Sequence, residues 1–373
     1  TEGPLLRLAA LGGTTLVTGV VAAAGYCLAL GWLRLRTRQV PSAAIAFIAV
    51  MVLPALCLAV PLNVKPEQGT VSVGVVQGNV SEPGLGAFNN AREVINNHAE
   101  GTHQLAQSYA GTVDVVLWPE NAADYDPRTD QEARDAVESA AQAIGAPILL
   151  GTQSYQRDAA GVATGRFNDV IRWDPGVGAV ASYAKQHPAP FAEYIPLRSI
   201  ARKFSSAVDL VSVDMVAGES VGILDVPVQG RDVPFGIAIC FEVAYDEIVR
   251  ASVTSGAEVL IVPTNNASFG VTAESEQQLA MTVFRAVEHG RAAVQVSTVG
   301  VSAVVTPNGV VKNQTELFTA DAFVAELPLR TSLTPATQLG DTPQSVTFGV
   351  TLVLLILGVT TWSRSRSRRA AVS

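Results

Sequence analysis

The sequence predicts an α/β domain held between membrane-spanning helices, and three observations point to this fold class. Short β-branched runs alternate with longer amphipathic stretches through the middle of the chain, as in α/β domains. Long uncharged apolar segments lie at both ends. Charged residues make up only 16% of the chain, against roughly a quarter in soluble domains. Part of the chain is therefore expected to lie in lipid.

The three apolar segments cover residues 8–33, 43–62 and 345–362, and none of them contains a charged residue. Each is close to or longer than the ~18 to 20 residues that cross a hydrocarbon core. We interpret all three as transmembrane helices. A buried helix of a globular core is the alternative reading, and it is most tenable for the shorter third segment.

Arginines beside these segments predict the orientation of the chain. They fill the loop between the first two segments and follow the third segment, at Arg34, Arg36, Arg38, Arg364, Arg366, Arg368 and Arg369. Because positive loops stay cytoplasmic, the polar region before the third segment is predicted to be extracytoplasmic. Thr1 then lies outside too, and no cleavable signal precedes the first span. We therefore expect a further N-terminal transmembrane portion upstream.

This reading divides the chain into three parts. Residues 1–67 hold two transmembrane helices (about 8–33 and 43–62) joined by the Arg-rich cytoplasmic loop. Residues 68–335 form the extracytoplasmic α/β domain, and residues 336–373 hold the third transmembrane helix (about 345–362) and a basic cytoplasmic tail. Within the α/β domain, continuous apolar runs predict buried strands at 71–77, 113–118, 147–152, 233–239, 259–263 and 293–297. Helical periodicity predicts helices at 88–109, 131–144, 244–254 and 274–288.

Three segments place a reactive side chain where a predicted strand or extended run ends, the edge at which α/β folds commonly build their sites. Glu120 follows Pro119 after the second strand, and Lys185 precedes the sequence Pro-Phe-Ala-Glu-Tyr-Ile-Pro at 190–196. Cys240 ends a buried strand before a helix. Taken singly, each has a plainer reading: a turn carboxylate, a solvated surface charge and a packing cysteine.

Taken together and in this order, these segments resemble the nitrilase superfamily, whose members carry a glutamate, a lysine and a cysteine on an α-β-β-α sandwich. The longer pieces resemble one branch, the bacterial apolipoprotein N-acyltransferases. They are Trp-Pro-Glu at 118–120, the 190–196 sequence, Thr-Asn-Asn-Ala-Ser-Phe-Gly at 264–270 and Arg-Ala-Val-Glu-His-Gly-Arg at 285–291. The resemblance runs from about 71 to 326. The chain departs from the commoner family pattern at Phe241 and at Asn266 and Ser268.

The resemblance implies an acyltransferase that spans the bacterial cytoplasmic membrane several times, with its catalytic domain on the extracytoplasmic side. Cys240 would attack a phospholipid ester, Glu120 would take its proton, and Lys185 with the Phe241 backbone N–H would stabilise the oxyanion. The α-amine of a diacylglyceryl-modified lipoprotein cysteine would then attack the thioester. The implied partners are the phospholipid donor, the lipoprotein acceptor and the membrane. No metal or other cofactor is implied.

Two other functions remain open at this point. The first is a membrane-tethered carbon-nitrogen hydrolase (amidase or nitrilase) that cleaves small amides with the same three residues. The membrane spans disfavour it, since a soluble substrate does not require a site held at the bilayer. The second is a binding protein with a degenerate site, which the intact set of Glu120, Lys185 and Cys240 disfavours.

Further site residues follow from the same resemblance. Glu193 and Glu242 are expected to support the site by orienting Lys185 or its surroundings, although Glu242 has the alternative of favouring a helix dipole. Candidate substrate contacts are Trp118, Tyr194, Asn265 and Phe269. The alternative for Trp118, Tyr194 and Phe269 is that they are core aromatics, which we favour for Trp118. Asn265 has the alternative of hydrogen-bonding its own turn.

Composition excludes two other classes of partner. The net charge of −8, with no long basic stretch in the polar region, argues against a nucleic-acid partner. The four histidines are scattered, and no Cys/His spacing resembles a metal site. Cys27 and Cys57 lie in apolar segments, which leaves Cys240 as a free thiol in the polar region.

Overall fold

The computed structural model describes residues 3–80 and 91–370, and these form two compact units. One unit holds residues 62–333, and the other holds residues 3–61 and 334–370. The helices are α1 Ala9–Arg36, α2 Val40–Leu58, α3 Ala91–Tyr109, α4 Gln131–Ile144, α5 Arg198–Ala201, α6 Asp246–Thr254, α7 Glu274–His289, α8 Pro335–Leu339 and α9 Thr342–Ala370. The strands are β1 Thr70–Gln77, β2 Val115–Leu117, β3 Ile148–Arg157, β4 Ala163–Asp174, β5 Gly178–Ala184, β6 Ile223–Val228, β7 Arg231–Ile237, β8 Val259–Thr264, β9 Ala292–Ser297, β10 Ala303–Val305, β11 Val311–Lys312 and β12 Asp321–Pro328.

The larger unit is built on two six-stranded sheets. The first has the order β12-β1-β2-β3-β4-β5, and the second has the order β11-β10-β9-β8-β7-β6. In each sheet three central strands run parallel, β1-β2-β3 and β7-β8-β9, while antiparallel strands complete the edges. The carboxyl ends of β2, β5, β7 and β8 lead into the candidate site.

Alternation along the strands creates the layers of this unit. Val73 and Val75 of β1 pack between the two sheets with Val259 and Ile261 of β8, whereas Val76 packs on the helix side. Apolar positions of α3 and α4 complete that outer layer, and α6 and α7 pack on the second sheet. The result is an α-β-β-α sandwich, so the predicted fold class is confirmed.

The predicted strands and helices of the larger unit are all present, with ends shifted by a few residues. The third strand extends to Arg157 because it continues into an antiparallel hairpin. The first residues of the helix predicted at 88–109 lie outside the described residues. The strands β4, β5, β6, β10, β11 and β12 were not predicted from the sequence.

The smaller unit consists mainly of apolar helices. Within the described residues, three stretches are long and apolar enough to cross a membrane: Pro4–Arg36, Val40–Leu58 and Thr342–Thr361. They coincide with the three predicted spans to within a few residues. α1 is interrupted at Gly12 and Gly13, where the backbone leaves the helical region, and glycine tolerates the positive φ of +61° at Gly13.

Candidate active site

Cys240 lies on a sharp turn between β7 and α6. The strand ends at Ile237, and a 3-10 turn then runs from Cys240 to Ala244. Cys240 adopts a φ of +54°, which is uncommon for a residue with a side chain and costs conformational energy. The residue as a whole is partly exposed, whereas its thiol group is buried. Strain of this kind often occurs at functional sites, and here it lifts the thiol out of the strand.

Lys185 follows β5 directly and is almost fully buried at 2% exposure. Its Nζ donates to Glu193 Oε1 at 2.7 Å and lies 3.4 Å from Glu120 Oε1. A buried ammonium group is costly unless it is paired and hydrogen-bonded. The two carboxylates meet that requirement and fix the position of the ammonium group.

Glu120 is held by both sheets. Its Oε1 accepts a hydrogen bond from Asn168 Nδ2 at 2.6 Å, and its Oε2 accepts one from the Asn265 backbone N–H at 2.8 Å. Asn168 lies on β4 of the first sheet, whereas Asn265 follows β8 of the second. The carboxylate therefore has a fixed orientation at the junction of the two sheets.

Glu242 joins the cysteine turn to the segment after Lys185. One of its oxygens accepts from the Ile239 backbone N–H at 2.8 Å, and the other accepts from the Gln186 N–H at 2.6 Å and the His187 N–H at 3.1 Å. The Tyr183 hydroxyl also donates to it at 3.0 Å. Burial raises the pKa of Glu242, while these backbone donors and Lys185 oppose that rise. Through these hydrogen bonds, the buried Glu242 connects the cysteine turn to the segment after Lys185.

The charges around Cys240 set the state of its thiol. Burial and, to a smaller extent, the charge of Glu120 raise the pKa of Cys240, whereas Lys185 and a hydrogen bond from Thr264 lower it, and the net pKa is about 12. Burial also lowers the pKa of Lys185, but Glu120, Cys240 and Glu193 outweigh this and leave the pKa of Lys185 raised. At neutral pH the cysteine is therefore a thiol beside a cationic lysine. A base is required before it can act as a nucleophile.

Close approach of the backbone at Gly151 positions the Glu120 turn. A Cβ atom at Gly151 would lie 2.5 Å from Pro119 O and 2.6 Å from Glu120 Cα. Only glycine leaves room for this turn to cross β3. The backbone N–H of Gly151 donates to Pro119 O at 3.1 Å, which ties the turn to the strand.

The remaining predicted residues divide into partly exposed and buried side chains. Phe241 is 45% exposed and packs edge-on against Tyr245. Tyr194, Asn265 and Phe269 are partly exposed. The Asn265 side chain accepts a hydrogen bond from the Ala267 N–H at 3.1 Å, so it caps its own turn.

Trp118 does not fit the tentative assignment as a substrate contact. Its side chain is 1% exposed and belongs to the core between the first sheet and α3 and α4. The indole N–H donates to Thr102 Oγ1 at 2.9 Å. A buried indole needs such a partner, and this one keeps Trp118 out of the site.

An apolar groove of about 390 Å³ opens at residues 191–208, in the part of the chain that follows Lys185. It is lined by Phe191, Pro196, Leu197, Ile200, Ala201, Phe204, Ser205 and Val208. Phe204 is 85% exposed and Leu197 is 75% exposed. Phe191 lies two residues from Glu193, which contacts Lys185, so the groove begins close to the charged cluster.

Several residues of the site were missed in the sequence. Asn168 and Tyr183 lie on the unpredicted strands β4 and β5, and both donate to carboxylates of the site. Thr264 was noted only as part of a longer motif, yet its hydroxyl lies 3.3 Å from Cys240 Sγ. Two of these residues could have been noticed in the sequence, because Asn168 and Thr264 are polar residues next to apolar runs.

Asp246, Glu288 and His289 form a second titratable cluster between α6 and α7, with ligand atoms within 4.8 Å of one another. Arg285 Nη1 donates to Asp246 Oδ1 at 3.1 Å and also to Glu288. The guanidinium already supplies the positive charge at the centre of this cluster. The arrangement is an ion-pair network that joins the two helices.

A carbon-nitrogen hydrolase family model matches residues 72–333, which covers both sheets and every residue of the candidate site. The chain belongs to the carbon-nitrogen hydrolase family. The carbon-nitrogen hydrolase domain thus extends from β1 to the end of the larger unit.

Relatives of this carbon-nitrogen hydrolase include proteins named apolipoprotein N-acyltransferase. The one from Mycolicibacterium smegmatis is 37% identical over 96% of this chain and 63% of the relative. The one from Gloeobacter violaceus is 29% identical over 95% of this chain and 65% of the relative. The chain therefore spans slightly under two thirds of the length of these relatives.

Solved structures show the same carbon-nitrogen hydrolase fold. An amidase of the nitrilase superfamily from Nesterenkonia sp. AN1 superposes with a TM-score of 0.52 at 18% identity, over 77% of this chain and 100% of the amidase. Nit3 from Saccharomyces cerevisiae superposes with a TM-score of 0.50 at 16% identity, over 70% and 90% of the two chains. At these identities the likeness extends to the fold alone.

Proposed function

We propose that this protein is an apolipoprotein N-acyltransferase that transfers a fatty acyl chain from a membrane phospholipid to the N-terminal amine of a diacylglyceryl-modified lipoprotein. The observation that carries the proposal is the extent of similarity to the relative from Mycolicibacterium smegmatis. It covers 96% of the chain and so includes the apolar helices as well as the hydrolase domain. A soluble amidase needs only the second of these.

In the first proposed step, Glu120 takes the proton of Cys240, and the sulfur attacks the carbonyl carbon of the phospholipid ester. Lys185 lies beside Glu120 and stabilises the negative oxygen of the tetrahedral intermediate. The ester C–O bond then breaks. The lysophospholipid alkoxide takes the proton back from Glu120, and the acyl chain remains on Cys240 as a thioester.

In the second proposed step, the free α-amine of the lipoprotein attacks the thioester carbonyl. Glu120 accepts the amine proton, Lys185 again stabilises the oxyanion, and the C–S bond breaks. Cys240 regains its proton from Glu120, and the product is an amide. The scheme is ping-pong and uses only groups on this chain and its two substrates.

Glu193 and Glu242 are proposed to be positioning residues. Glu193 holds the ammonium of Lys185 at 2.7 Å, and Glu242 fixes the cysteine turn against Gln186 and His187. The apolar groove beside Phe191 has the chemistry to receive an acyl chain, since its lining is almost entirely hydrophobic. Tyr194 and Phe269 remain candidate substrate contacts.

The test is the intact mass of the purified protein after incubation with phospholipid. We expect one added fatty-acyl mass in the parent protein and none in Cys240→Ala. Cys27→Ala and Cys57→Ala are matched controls, because both remove a thiol from the apolar helices, and both should keep the adduct. No adduct on folded parent protein would overturn the proposal and favour the amide-hydrolase alternative, to be tested with small amides.

A further inference from the structure

Thr264 ends β8 beneath the nucleophile and is fully buried. Its Oγ1 lies 3.3 Å from Cys240 Sγ, 2.6 Å from Asn266 Oδ1 and 2.9 Å from Gln278 Oε1. A hydroxyl carries one hydrogen and two lone pairs. It can donate to only one of these three atoms, so two amide oxygens facing it would leave at least one unfavourable oxygen-oxygen contact.

The same orientation of the amides leaves Gln278 Nε2 buried without a hydrogen-bond partner among the described residues. Leaving a buried donor unsatisfied costs free energy. The oxygen and nitrogen of a side-chain amide are assigned from their hydrogen-bond partners. The surroundings of Asn266 and Gln278 therefore decide which end of each amide faces Thr264.

Turning both amides by 180° satisfies the contacts among Thr264, Asn266 and Gln278, and it places the Gln278 oxygen, which carries no hydrogen, where the nitrogen had no partner. Asn266 Nδ2 and Gln278 Nε2 then occupy the positions 2.6 Å and 2.9 Å from Thr264 Oγ1, and both donate to it. The second hydrogen of Gln278 Nε2 goes to Asn266 Oδ1 across the 3.1 Å contact between the two amides. Turning only one amide would set two donors or two acceptors against each other at that contact.

The neighbouring hydroxyl groups accommodate the paired turn. Ser275 Oγ lies 3.1 Å from the position that becomes Asn266 Oδ1 and can donate to it. Ser297 Oγ lies 3.2 Å from the position that becomes Asn266 Nδ2 and can accept from it. With two donors on its lone pairs, Thr264 keeps its own hydrogen for the remaining neighbour, Cys240 Sγ.

We propose that Thr264 is a further catalytic residue, whose hydroxyl donates a hydrogen bond to the Cys240 thiolate, and that Asn266 and Gln278 orient this hydroxyl. The proposal rests on the proposed nucleophilic role of Cys240. The hydrogen bond stabilises the sulfur anion when Glu120 removes the proton. It stabilises the same anion again when the thioester C–S bond breaks.

The hydrogen bond from Thr264 also helps to explain how a buried thiolate can form beside a carboxylate. Burial and the nearby carboxylate of Glu120 both disfavour a thiolate, whereas Lys185 and Thr264 favour it. Lys185 is shared with Glu120 and Glu193, so its charge is already partly balanced. A neutral hydroxyl whose hydrogen is directed at the sulfur adds stabilisation that the carboxylates do not reduce.

The test is the rate of Cys240 alkylation by iodoacetamide as a function of pH, measured by mass spectrometry in a background that carries Cys27→Ala and Cys57→Ala. We expect Thr264→Val to lower the rate about three- to tenfold between pH 7 and 9. A hydrogen bond to an anion is worth roughly one pK unit or more, and part of the effect is offset by higher intrinsic reactivity. Thr264→Ser should restore most of the rate.

Thr315→Val is the matched control, because Thr315 is also a buried, hydrogen-bonded threonine but donates to Gln77 instead of the sulfur. Thr315→Val should leave the rate of Cys240 alkylation and its dependence on pH unchanged. If Thr264→Val does not fold, Thr264→Ala carries the same expectation. A folded variant with an unchanged profile overturns the proposal. Alkylation needs no phospholipid, so normal alkylation behaviour without an acyl adduct would instead overturn the acyl-transfer function.

Discussion

At the scale of single residues, Lys185 shows that the buried charges of the site depend on one another. Its ammonium group lies between Glu120 and Glu193, and all three belong to one turn-rich region at the ends of the strands. Because each carboxylate also accepts a backbone or amide donor, the cluster is satisfied only as a set. Removing the Lys185 cation leaves two negative charges close together in a poorly solvated place.

We therefore expect Lys185→Met to lower the free energy of unfolding by roughly 3–5 kcal/mol, as when a buried ion pair loses one partner, and to abolish the acyl adduct. The double variant Lys185→Met with Glu193→Gln should recover part of the stability, since one carboxylate is neutralised, but no adduct. The measurements are denaturant unfolding and intact mass.

The exposed Lys203 supplies the control for this prediction. Lys203→Met should change neither stability nor adduct formation, because a solvated charge contributes little. Adduct formation by Lys185→Met would contradict the role of Lys185 in oxyanion stabilisation. Equal stability of the single and double variants would contradict the account of the buried charge cluster.

At the scale of elements, the central parallel strands could be predicted and the edge strands could not. The runs that became β1, β7, β8 and β9 are continuously apolar because both faces are covered. β4 mixes arginine, asparagine and aspartate with apolar residues, since one part faces solvent and another faces the site. Asn168 was missed for this reason, as a site residue on a strand without a clear pattern.

The sequence singled out the three side chains that we propose to be reactive because each follows a strand or extended run directly. Their mutual contacts could not, since Glu120, Lys185 and Cys240 are separated by more than fifty residues from one to the next and meet only when two sheets pack face to face. The coupled orientation of Asn266 and Gln278 depends on distances of a few ångströms. No sequence pattern carries that information.

The contact between β3 and the Glu120 turn gives a prediction at this scale. Gly151→Ala would place a methyl group 2.5 Å from Pro119 O, so the turn must shift and carry Glu120 away from Cys240. We expect acyl-adduct formation to slow by about ten- to a hundredfold, because small misplacements of a catalytic group have effects of this size. The domain should remain folded, as measured by circular dichroism.

Gly165→Ala is the matched control for Gly151→Ala. Gly165 is also a strand glycine, but the nearest atom to its added methyl group is a side-chain methyl of Val216 at 2.6 Å, with no backbone atom in comparable contact. It should keep adduct formation near the parental rate. An equal slowing in both variants would show that strand glycines matter for general stability and not for the placement of Glu120.

At the scale of the whole molecule, the apolar helices and the polar domain differ in whether their apolar side chains are exposed or buried. The segment Thr342–Thr361 of α9 and the two N-terminal helices expose most of their apolar side chains, as helices in contact with lipid do. The hydrolase domain buries its apolar residues between sheets and helices. The division into apolar helices and a polar domain was predictable from composition because lipid and water select different residues.

The orientation of the chain is the last prediction, and it follows from the arginines at the ends of the apolar helices. Gln39→Cys labels the loop between α1 and α2, and Val177→Cys labels an exposed turn of the polar domain. Both are made in a background without Cys27, Cys57 and Cys240. We expect a membrane-impermeant maleimide to label only Val177→Cys in intact spheroplasts, and both variants after permeabilisation.

We expect this outcome from the positive-inside rule, because the positive charges of Arg34, Arg36 and Arg38 favour a cytoplasmic α1–α2 loop. One apolar crossing, α2, separates that loop from the polar domain, so the polar domain is expected on the opposite side of the membrane. Labelling of Gln39→Cys in intact spheroplasts would show that the orientation is the opposite of the predicted one. It would also remove the proposed lipoprotein acceptor from reach of Cys240, because the site and the translocated lipoprotein would then lie on different sides.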